Sequence, residues 1–380
     1  TTPPMAEPFK TFINPEVVTR AAGHLARHDP GFDGDAFCAA VVPHLAALEL
    51  KARAMCVADA LERHLAADFE DAAAHLERAL RPLNAPPGTG GLDGWFLWGA
   101  GEFVARRGMA QPVRALSCLR EMTQRFTAEF AIRPLIAQHP ALVFDTLRQW
   151  VHDDSEHVRR LVSEGTRPRL PWGLQLRGLI ADPSPSLPLL AALQDDTSAY
   201  VRRSVANHLN DIAKDHPVVV AAWLERHLPD ASPHRRALLR HASRTLVKQG
   251  YPPVLTLWGR AEPLHGTATL ALAPSHIALG DDVALTITLR SQAGEPQALT
   301  VDYVVHHVKA NGQTSAKVFK GWETRLDAGQ SLTLRKRHPV RPITTRRYHA
   351  GEHRVVVQVN GKAVAESAFH LTVGSPAAPG

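Results

Sequence analysis

The chain has 380 residues, of which 44% are hydrophobic and 21% are charged, and its formal net charge is +6. This length exceeds one typical domain, and the composition excludes a disordered chain. No apolar run approaches the roughly 20 residues that a membrane span needs, and no basic segment followed by an apolar stretch opens the sequence. We therefore expect a soluble, cytoplasmic protein.

The positive balance of charge favours an anionic partner, although a generically basic soluble protein has the same composition. The three cysteines, Cys38, Cys56 and Cys118, are odd in number and widely spaced. This pattern indicates reduced thiols, and neither a disulfide framework nor a zinc site.

Residues 10 to about 258 are predicted to be helical, because apolar residues recur there at spacings of three and four. Helix-capping residues stand at several of the predicted starts, among them Asn14, Ser155 and Thr197. The same periodicity predicts a helix over Leu170–Ala181 and a single long helix over Pro233–Lys248.

A short motif repeats within this helical region. Val158-Arg-Arg is followed 43 residues later by Val201-Arg-Arg and preceded by 45 residues by Val113-Arg. That period is typical of HEAT-type repeats, in which pairs of antiparallel helices stack. Each valine is expected to face the core, and the arginines to line one adjacent surface on successive repeats.

From about Leu264 the pattern becomes alternating and β-branched, as in Val283–Arg290 and Gly351–Asn360. Asn311-Gly312 and Asn360-Gly361 are typical of hairpin turns. Seven or so short strands in about 110 residues indicate an immunoglobulin-like sandwich. The predicted fold is therefore a HEAT-like α-helical repeat solenoid (residues 7–258) followed by an immunoglobulin-like β-sandwich domain (residues 262–374).

Much of the positive charge belongs to the predicted sandwich. Between residues 262 and 373 there are 13 Lys and Arg against 9 Asp and Glu. A basic strand and loop can contact a phosphate backbone, although charge also guards the edge strand of a sheet. The residues concerned are Arg335, Lys336, Arg337, Arg346 and Arg347.

The segment Trp150–Trp172 combines arginines with carboxylates. Arginines on one surface can neutralise phosphates, whereas carboxylates there weaken the binding of an anion. Asp153 and Asp154 precede a predicted helix start, where acidic residues are also favoured as caps. Glu156 shares a helix face with Arg160, and Glu121 lies one repeat earlier, where an ordinary surface ion pair is the alternative role.

Two carboxylates on adjacent repeats suit the cleavage of an N-glycosidic bond. A carboxylate stabilises the oxocarbenium-like sugar and positions water, and a base that is already cationic leaves without a general acid. Trp150 and Trp172 are candidate aromatic contacts, although tryptophans are commonly core residues. The sequence contains no phosphate-binding glycine motif and no zinc-ligand motif, so we expect neither a metal nor a cofactor.

Four segments carry a family signature: Glu7-Pro-Phe-Lys-Thr-Phe-Ile-Asn-Pro15, Glu121–Pro134, His157–Trp172 and Asn207–Pro217. They resemble the AlkC branch of the HEAT-like-repeat DNA glycosylases. The resemblance implies a bacterial enzyme for base-excision repair of 3-methyladenine and 3-methylcytosine in double-stranded DNA, without full base flipping. We also expect a monomer that is cytoplasmic and associated with the nucleoid. The resemblance also implies that Glu121 and Glu156 are catalytic.

Further roles follow as expectations from the resemblance and the charge pattern. Trp150, Trp172 and Asp154 are expected near the lesion. The residues expected to contact DNA in the helical region are His152, Arg159, Arg160, Arg167, Arg169, Arg202 and Arg203. The competing hypothesis is a non-catalytic HEAT scaffold that binds DNA or an acidic protein through its arginines.

Overall fold

The computed structural model describes residues 9–259, 262–343 and 346–373. It divides into two compact units. The first comprises the described residues up to Asp215 together with Ser232–Ala242, and the second comprises His216–Ala231 and the described residues from Ser243 onward. No helix within these ranges is both long and apolar enough to span a bilayer.

The helical part of the chain consists mainly of α-helices of two to four turns. The helices are α1 (Pro15–His28), α2 (Gly34–Val41), α3 (Leu50–His64), α4 (Phe69–Ala79), α5 (Phe96–Arg107), α6 (Pro112–Thr123), α7 (Glu129–Gln138), α8 (Pro140–Trp150), α9 (Glu156–Gly165), α10 (Arg177–Ala181), α11 (Leu187–Leu193), α12 (Ala199–Asp215), α13 (Pro217–His227), α14 (Pro233–Ala242), α15 (Arg244–Gln249) and α16 (Pro252–Leu257).

Local sequence explains several helix starts. The side chain of Asn14 accepts a hydrogen bond of 2.9 Å from Val17 N–H and so caps α1, as predicted. Proline occupies the first position of α6, α8 and α13, where its missing N–H has no intrahelical partner to lose. In the first unit α6 packs on α9, α9 on α12 and α12 on α14, which is the stacking of a helical-repeat solenoid.

Three sequence expectations for the helical region are wrong. Val113 is 67% exposed, so Val113-Arg114 lies out of register with the repeats at 158 and 201, whose valines are fully buried. The helix expected over Leu170–Ala181 is reduced to α10, because Pro171 and Gly173 interrupt it and Trp172 adopts a left-handed φ of 64°. The helix expected over Pro233–Lys248 is divided between α14 and α15.

The second unit contains eight strands. They are β1 (Gly266–Ala273), β2 (His276–Ala278), β3 (Asp282–Ser291), β4 (Gln297–Val308), β5 (Thr314–Leu326), β6 (Ser331–Pro339), β7 (Gly351–Val359) and β8 (Lys362–Thr372). Within the described residues β1-β3-β6 form one sheet and β2-β8-β7-β4-β5 the other. Both predicted hairpins are present, and the β7–β8 turn has positive φ at Asn360 and Gly361.

A helical solenoid followed by a β-rich immunoglobulin-like domain is thus confirmed as the fold class. The expected boundaries, 7–258 and 262–374, remain a prediction, and residues 7, 8 and 374 lie outside the described ranges. The helices α13, α15 and α16, which precede residue 258, belong to the second compact unit.

Three histidines are buried in the sandwich. His307 accepts a hydrogen bond of 2.8 Å from Arg346, His338 bonds the hydroxyl of Tyr303 at 3.1 Å, and His353 bonds a backbone carbonyl at 3.0 Å. The second ring nitrogen of each has no partner in the described part of the chain. Burial lowers the pKa of His307 to about 3 and that of His338 to about 4, and it also lowers the pKa of His353.

These histidines make the stability of the sandwich dependent on pH. Each has a folded-state pKa below 6.5, so its contribution is complete above about pH 6.5 and is lost as the pH falls towards 4. For each histidine that becomes protonated only when the protein unfolds, the free energy of unfolding should fall by about 1.4 kcal/mol as the pH is lowered from 7.5 to 5.5. Urea unfolding at these two pH values should show that the free energy of unfolding falls less for His307→Gln than for wild type. An equal loss, or the same effect from exposed His276→Gln, would contradict this assignment.

Candidate active site

The loop before α9 is held by its own aspartate and arginine. Asp153 Oδ1 accepts a hydrogen bond of 2.9 Å from Ser155 N–H. Arg159, in the first turns of α9, donates back to the carbonyl oxygens of Asp153 and Asp154 at 2.8 and 3.0 Å. Aspartate, serine and arginine therefore fix the entry into α9 together.

The loop before α12 repeats the same bonds at equivalent positions. Asp196 Oδ1 accepts from Ser198 N–H at 2.8 Å, and Arg202 donates to the carbonyl oxygens of Asp196 and Thr197. The shared pattern Asp-x-Ser-x-x-Val-Arg is thus a loop-closing element of the repeat. Arg202 closes this loop through one guanidinium nitrogen, and its expected contact with DNA stays a prediction.

The same aspartates join one repeat to the next. Arg120 of α6 bonds the Asp153 carboxylate at 2.8 and 2.6 Å, and Arg159 bonds that of Asp196 at 2.7 and 3.0 Å. We call these two pairs the inter-repeat ties. Burial raises the pKa of Asp196, but the hydrogen bonds from Arg159 and Ser198 outweigh burial and leave that pKa lowered.

Glu156 is a surface carboxylate that the repeat does not require. It begins α9 and is exposed, whereas the equivalent first residue of α12 is Ala199. Its side chain accepts a hydrogen bond from the Ser198 hydroxyl of the next repeat. The negative charge at a helix N-terminus is favourable, but Ala199 shows that the fold does not depend on it.

Glu121 is brought to the same region from the C-terminal end of α6. Its side chain, 36% exposed, accepts from Arg120 at 2.9 Å and from Arg125 at 3.2 Å. Because Arg120 also binds Asp153, Glu121 is linked through one guanidinium to the loop that leads into Glu156. The structure therefore places both predicted catalytic carboxylates on either side of one inter-repeat tie.

The two predicted tryptophans lie in different environments. Trp150 is 8% exposed and belongs to the core of the helical unit, so we withdraw its expected contact with the lesion. Trp172 is 58% exposed, but it follows the C-terminal end of α9, whereas Glu156 stands at the N-terminal end. The ten residues of α9 extend about 15 Å, which separates Trp172 from the carboxylates. Asp154 is exposed directly before Glu156, as predicted.

An arginine anchors the loop that carries Trp172. The guanidinium of Arg133 is fully buried and donates to four carbonyl oxygens, those of Gly165, Arg167, Pro168 and Leu174. Burial lowers the pKa of Arg133 to about 10. The strained backbone of Trp172 is thus maintained by an internal cation.

The predicted DNA-contacting arginines separate into an internal and an exposed group. Arg160 binds Glu129 at 2.6 Å, and Arg167 binds Glu164 at 2.7 Å and Asp211 at 2.8 Å. These side chains are at most 15% exposed. Their charges are neutralised inside the unit, so we withdraw their expected contact with phosphates. Periodicity could not reveal this, because each carboxylate partner lies on another element or turns inward at the helix end.

Other predicted contacts remain at the surface. Arg169 is partly exposed and pairs with Asp215 at 2.7 Å, whereas Arg203 and His152 are exposed. In the sandwich, Arg335 and Arg337 point outward along β6, and Arg347 is exposed. Lys336 points the opposite way, with its ammonium 5.7 Å from the ring centroids of Tyr303 and Trp322. Arg346 is half-buried against His307.

Tyr200 is a site residue that the sequence did not suggest. It lies in the first turn of α12, with its backbone N–H bonded to the Ser198 hydroxyl that contacts Glu156. The guanidinium of Arg160 is 4.6 Å from its ring centroid, and the ring remains 43% exposed. An internal cation thus holds an exposed aromatic ring beside Glu156. The signal was its position in the motif, since Tyr200 is equivalent to His157 of α9.

No group of three or more histidine, cysteine or acidic side chains in the described ranges is arranged to hold a metal ion. The groups that can act chemically here are carboxylates, a hydroxyl and aromatic rings. Carboxylates at a solvent-accessible surface can stabilise a developing cation and orient water.

Comparison with known proteins agrees with this arrangement. A family model described as DNA alkylation repair enzyme matches residues 125–246, and one described as the C-terminal Ig-like domain of uncharacterised protein YhaZ matches residues 266–373. The helical region from α7 into α15, which includes Glu156, is thus similar to DNA alkylation repair enzymes.

Two relatives extend over nearly the whole chain. The uncharacterized protein YhaZ of Bacillus subtilis (strain 168) is 33% identical over 93% of this chain and 96% of its own length. The Pseudomonas fluorescens alkylpurine DNA glycosylase AlkC, solved bound to DNA containing an abasic site analogue, is 35% identical with a TM-score of 0.88, covering 96% of this chain and 99% of that one. The chain belongs to the family of AlkC and YhaZ.

The Arg133 anchor gives a direct prediction. Arg133→Met removes the guanidinium hydrogen bonds to all four carbonyl oxygens, of which that of Pro168 also accepts one from Leu176 N–H. The loss should destabilise the unit by about 2–4 kcal/mol and loosen residues 166–176. Limited proteolysis should then cleave within this loop, which wild type resists. Arg148→Met, at an exposed arginine paired only within its own helix, is the matched control and should behave as wild type. Resistance of the Arg133 variant to cleavage would contradict the anchoring role.

Proposed function

We propose that this protein is a monofunctional DNA glycosylase that hydrolyses the N-glycosidic bond of cationic alkylated bases, chiefly 3-methyladenine and also 3-methylcytosine. The observation that carries the proposal is Glu156. It is an exposed carboxylate at a position where the equivalent repeat has alanine, and the guanidinium of Arg120 joins the loop before it to a second carboxylate, Glu121. The AlkC relative, solved with DNA that contains an abasic site analogue, supports DNA as the partner.

The chemistry needs few groups. An N3-alkylated purine already carries a positive charge, so it leaves without a proton from the protein. The sugar becomes cationic as the bond breaks, and a carboxylate beside C1′ stabilises that charge and orients water for attack. We assign these roles to Glu156 and Glu121. Ser198, whose hydroxyl donates to Glu156, is a positioning residue.

The surface position of these carboxylates supports approach through the sugar and backbone. Both stand at helix ends on the surface of the repeats, so they can meet a deoxyribose without drawing the base into an enclosed pocket. Most enzymes that act on bases extrude them. We therefore propose that excision proceeds without full base flipping, with Tyr200 packed against the sugar or its neighbour.

The competing scaffold function relied on a surface of unpaired arginines. Three of those arginines, Arg159, Arg160 and Arg167, are neutralised by ion pairs with carboxylates of the same unit. A pure binding protein also gains nothing from Glu156, because an exposed carboxylate repels phosphates. The structure thus favours an enzyme over a scaffold, with DNA contact assigned to the remaining exposed cations, including Arg203, Arg335 and Arg337.

The catalytic assignment is tested by isosteric substitution. Glu121→Gln and Glu156→Gln should each lower the single-turnover rate of 3-methyladenine release by at least about a hundredfold, because the amide cannot stabilise the oxocarbenium charge. Their affinity for undamaged duplex should stay within about threefold of wild type. Asp145→Asn, at an exposed ion pair of α8, is the matched control and should release base at the wild-type rate. Unaltered release by both glutamate variants would remove this assignment.

The sandwich is proposed as a second DNA contact. Replacing both Arg335 and Arg337 by alanine should weaken DNA binding and reduce the slope of log K against log salt by up to about 2, because each phosphate contact contributes about 0.9. The matched double variant, Arg325→Ala with Arg354→Ala, removes the same charge from arginines that pair with carboxylates. Equal salt slopes for the two double variants would exclude a contact through β6.

A further inference from the structure

Glu121 lies where its helix does not favour a carboxylate. It belongs to the last turn of α6, and the C-terminal end of a helix disfavours negative charge. Its side chain is also partly exposed, and ordering the several rotatable bonds of a glutamate costs conformational entropy. A carboxylate that has to meet the sugar of one nucleotide therefore needs donors that are themselves fixed.

Three side chains donate hydrogen bonds to the Glu121 carboxylate. Arg120 bonds Oε1 at 2.9 Å, whereas Arg125 and Gln124 bond Oε2 at 3.2 and 3.4 Å. Arg120 is 39% exposed and is shared with Asp153, so its position depends on a second carboxylate. Arg125 is only 10% exposed and pairs with no other carboxylate in the described part of the chain. Arg125 is thus the buried cation that serves Glu121 alone.

The guanidinium of Arg125 is held by the backbone. Its Nη1 donates to the carbonyl oxygen of Glu121 at 2.8 Å, and its Nε donates to that of Arg81 at 2.9 Å. Arg81 is fixed independently, because its N–H donates to the carbonyl of Leu92 at 3.0 Å and its side chain pairs with Asp93 at 3.2 Å. Two backbone carbonyls, from α6 and from a separate segment, therefore set the position of this cation.

The chain contains a matched pair that lacks this anchoring. Arg106 and Glu102, towards the end of α5, have the same spacing of four residues and a bond of 2.9 Å. Arg106 is 34% exposed, and its other bonds go to the side chains of Asp59 and Met55. The two backbone bonds of Arg125 are therefore more than an ordinary ion pair within a helix requires.

We propose that Arg125 is a positioning residue, which fixes the Glu121 carboxylate so that it meets the sugar of the damaged nucleotide. Orientation matters because a misplacement of about 1 Å can slow an enzyme about a hundredfold. Arginine suits this role better than lysine, since separate nitrogens of its planar fork hold the Arg81 carbonyl and Glu121 at once. This inference rests on the proposed glycosylase function and adds to it the residue that sets the geometry of one catalytic carboxylate.

A double-mutant cycle separates positioning from general support of the fold. Arg125→Lys keeps the charge and Arg125→Gln keeps an N–H donor, but neither reproduces the fork. Each is made in the wild-type protein and in Glu121→Gln, and Arg106→Lys is the matched control. The measurement is the single-turnover rate of 3-methyladenine release at saturating enzyme, corrected for the folded fraction found by urea unfolding. If one variant does not fold, the other decides. Failure of both to fold would assign Arg125 to the fold alone and overturn the proposal.

In the otherwise wild-type protein, both Arg125 variants should slow release about tenfold, because the carboxylate is present but misplaced. Their affinity for undamaged duplex should be unchanged. In the Glu121→Gln background the same substitutions should change the rate by less than about twofold, since a residue that acts only through Glu121 has no carboxylate left to position. Arg106→Lys should release base at the wild-type rate.

Equal slowing in both backgrounds would mean that Arg125 acts independently of Glu121, and this would overturn the positioning role. Wild-type release by the Arg125 variants would overturn it too. If Glu121→Gln is slow while the Arg125 variants are not, only this inference fails. If Glu121→Gln releases base at the wild-type rate, the catalytic assignment fails with it. If the wild-type protein releases no base, the proposed function itself fails.

Discussion

The helical unit depends on the bond between an arginine of one repeat and the aspartate that opens the next. Arg120 binds Asp153 and Arg159 binds Asp196. Each aspartate also accepts a backbone hydrogen bond that fixes the loop leading into the next helix. Each aspartate carboxylate thus fixes the conformation of its own loop and also holds two adjacent repeats together. Because these aspartates are 7% and 6% exposed, removing either partner leaves a largely buried charge, which costs far more than a surface ion pair contributes.

These ties also determine where chemistry can occur. They bring the C-terminal end of α6 and the N-terminal ends of α9 and α12 onto one surface, and Glu121, Glu156 and Tyr200 lie there. Arg160 pairs with Glu129 inside the unit, and its guanidinium packs against the inner face of the Tyr200 ring. The site is thus held by structural charges that are neutralised inside the unit, while the carboxylates that we propose to act on DNA are additions to the repeat.

The sequence predicts the fold well where local patterns determine it. The buried valines at 158 and 201, the hairpin at Asn360-Gly361 and the cap at Asn14 all follow from short-range rules. The register predicted for Val113 is wrong because two matching residues, valine and arginine, are too few to define the register of a repeat. The helix expected from Leu170 is wrong because the periodicity does not account for Pro171 and Gly173, and α10 begins only after them.

The candidate site could be predicted only in part. Glu121 and Glu156 could be named as candidates because they stand close to the repeated motif, and the family resemblance is what assigned them a catalytic role. The roles of Arg160 and Arg167 were not visible, since Glu129 and Asp211, their partners, lie 31 and 44 residues away.

The central claim is that surface carboxylates on a helical repeat break an N-glycosidic bond without a metal or a cofactor. The most direct measurement is mass spectrometry of the products after the pure protein acts on methylated duplex DNA in the presence of a chelator. We expect free 3-methyladenine together with uncleaved strands that carry abasic sites. Methylated DNA recovered unchanged, with the protein bound to it, would contradict the account and establish a binding protein.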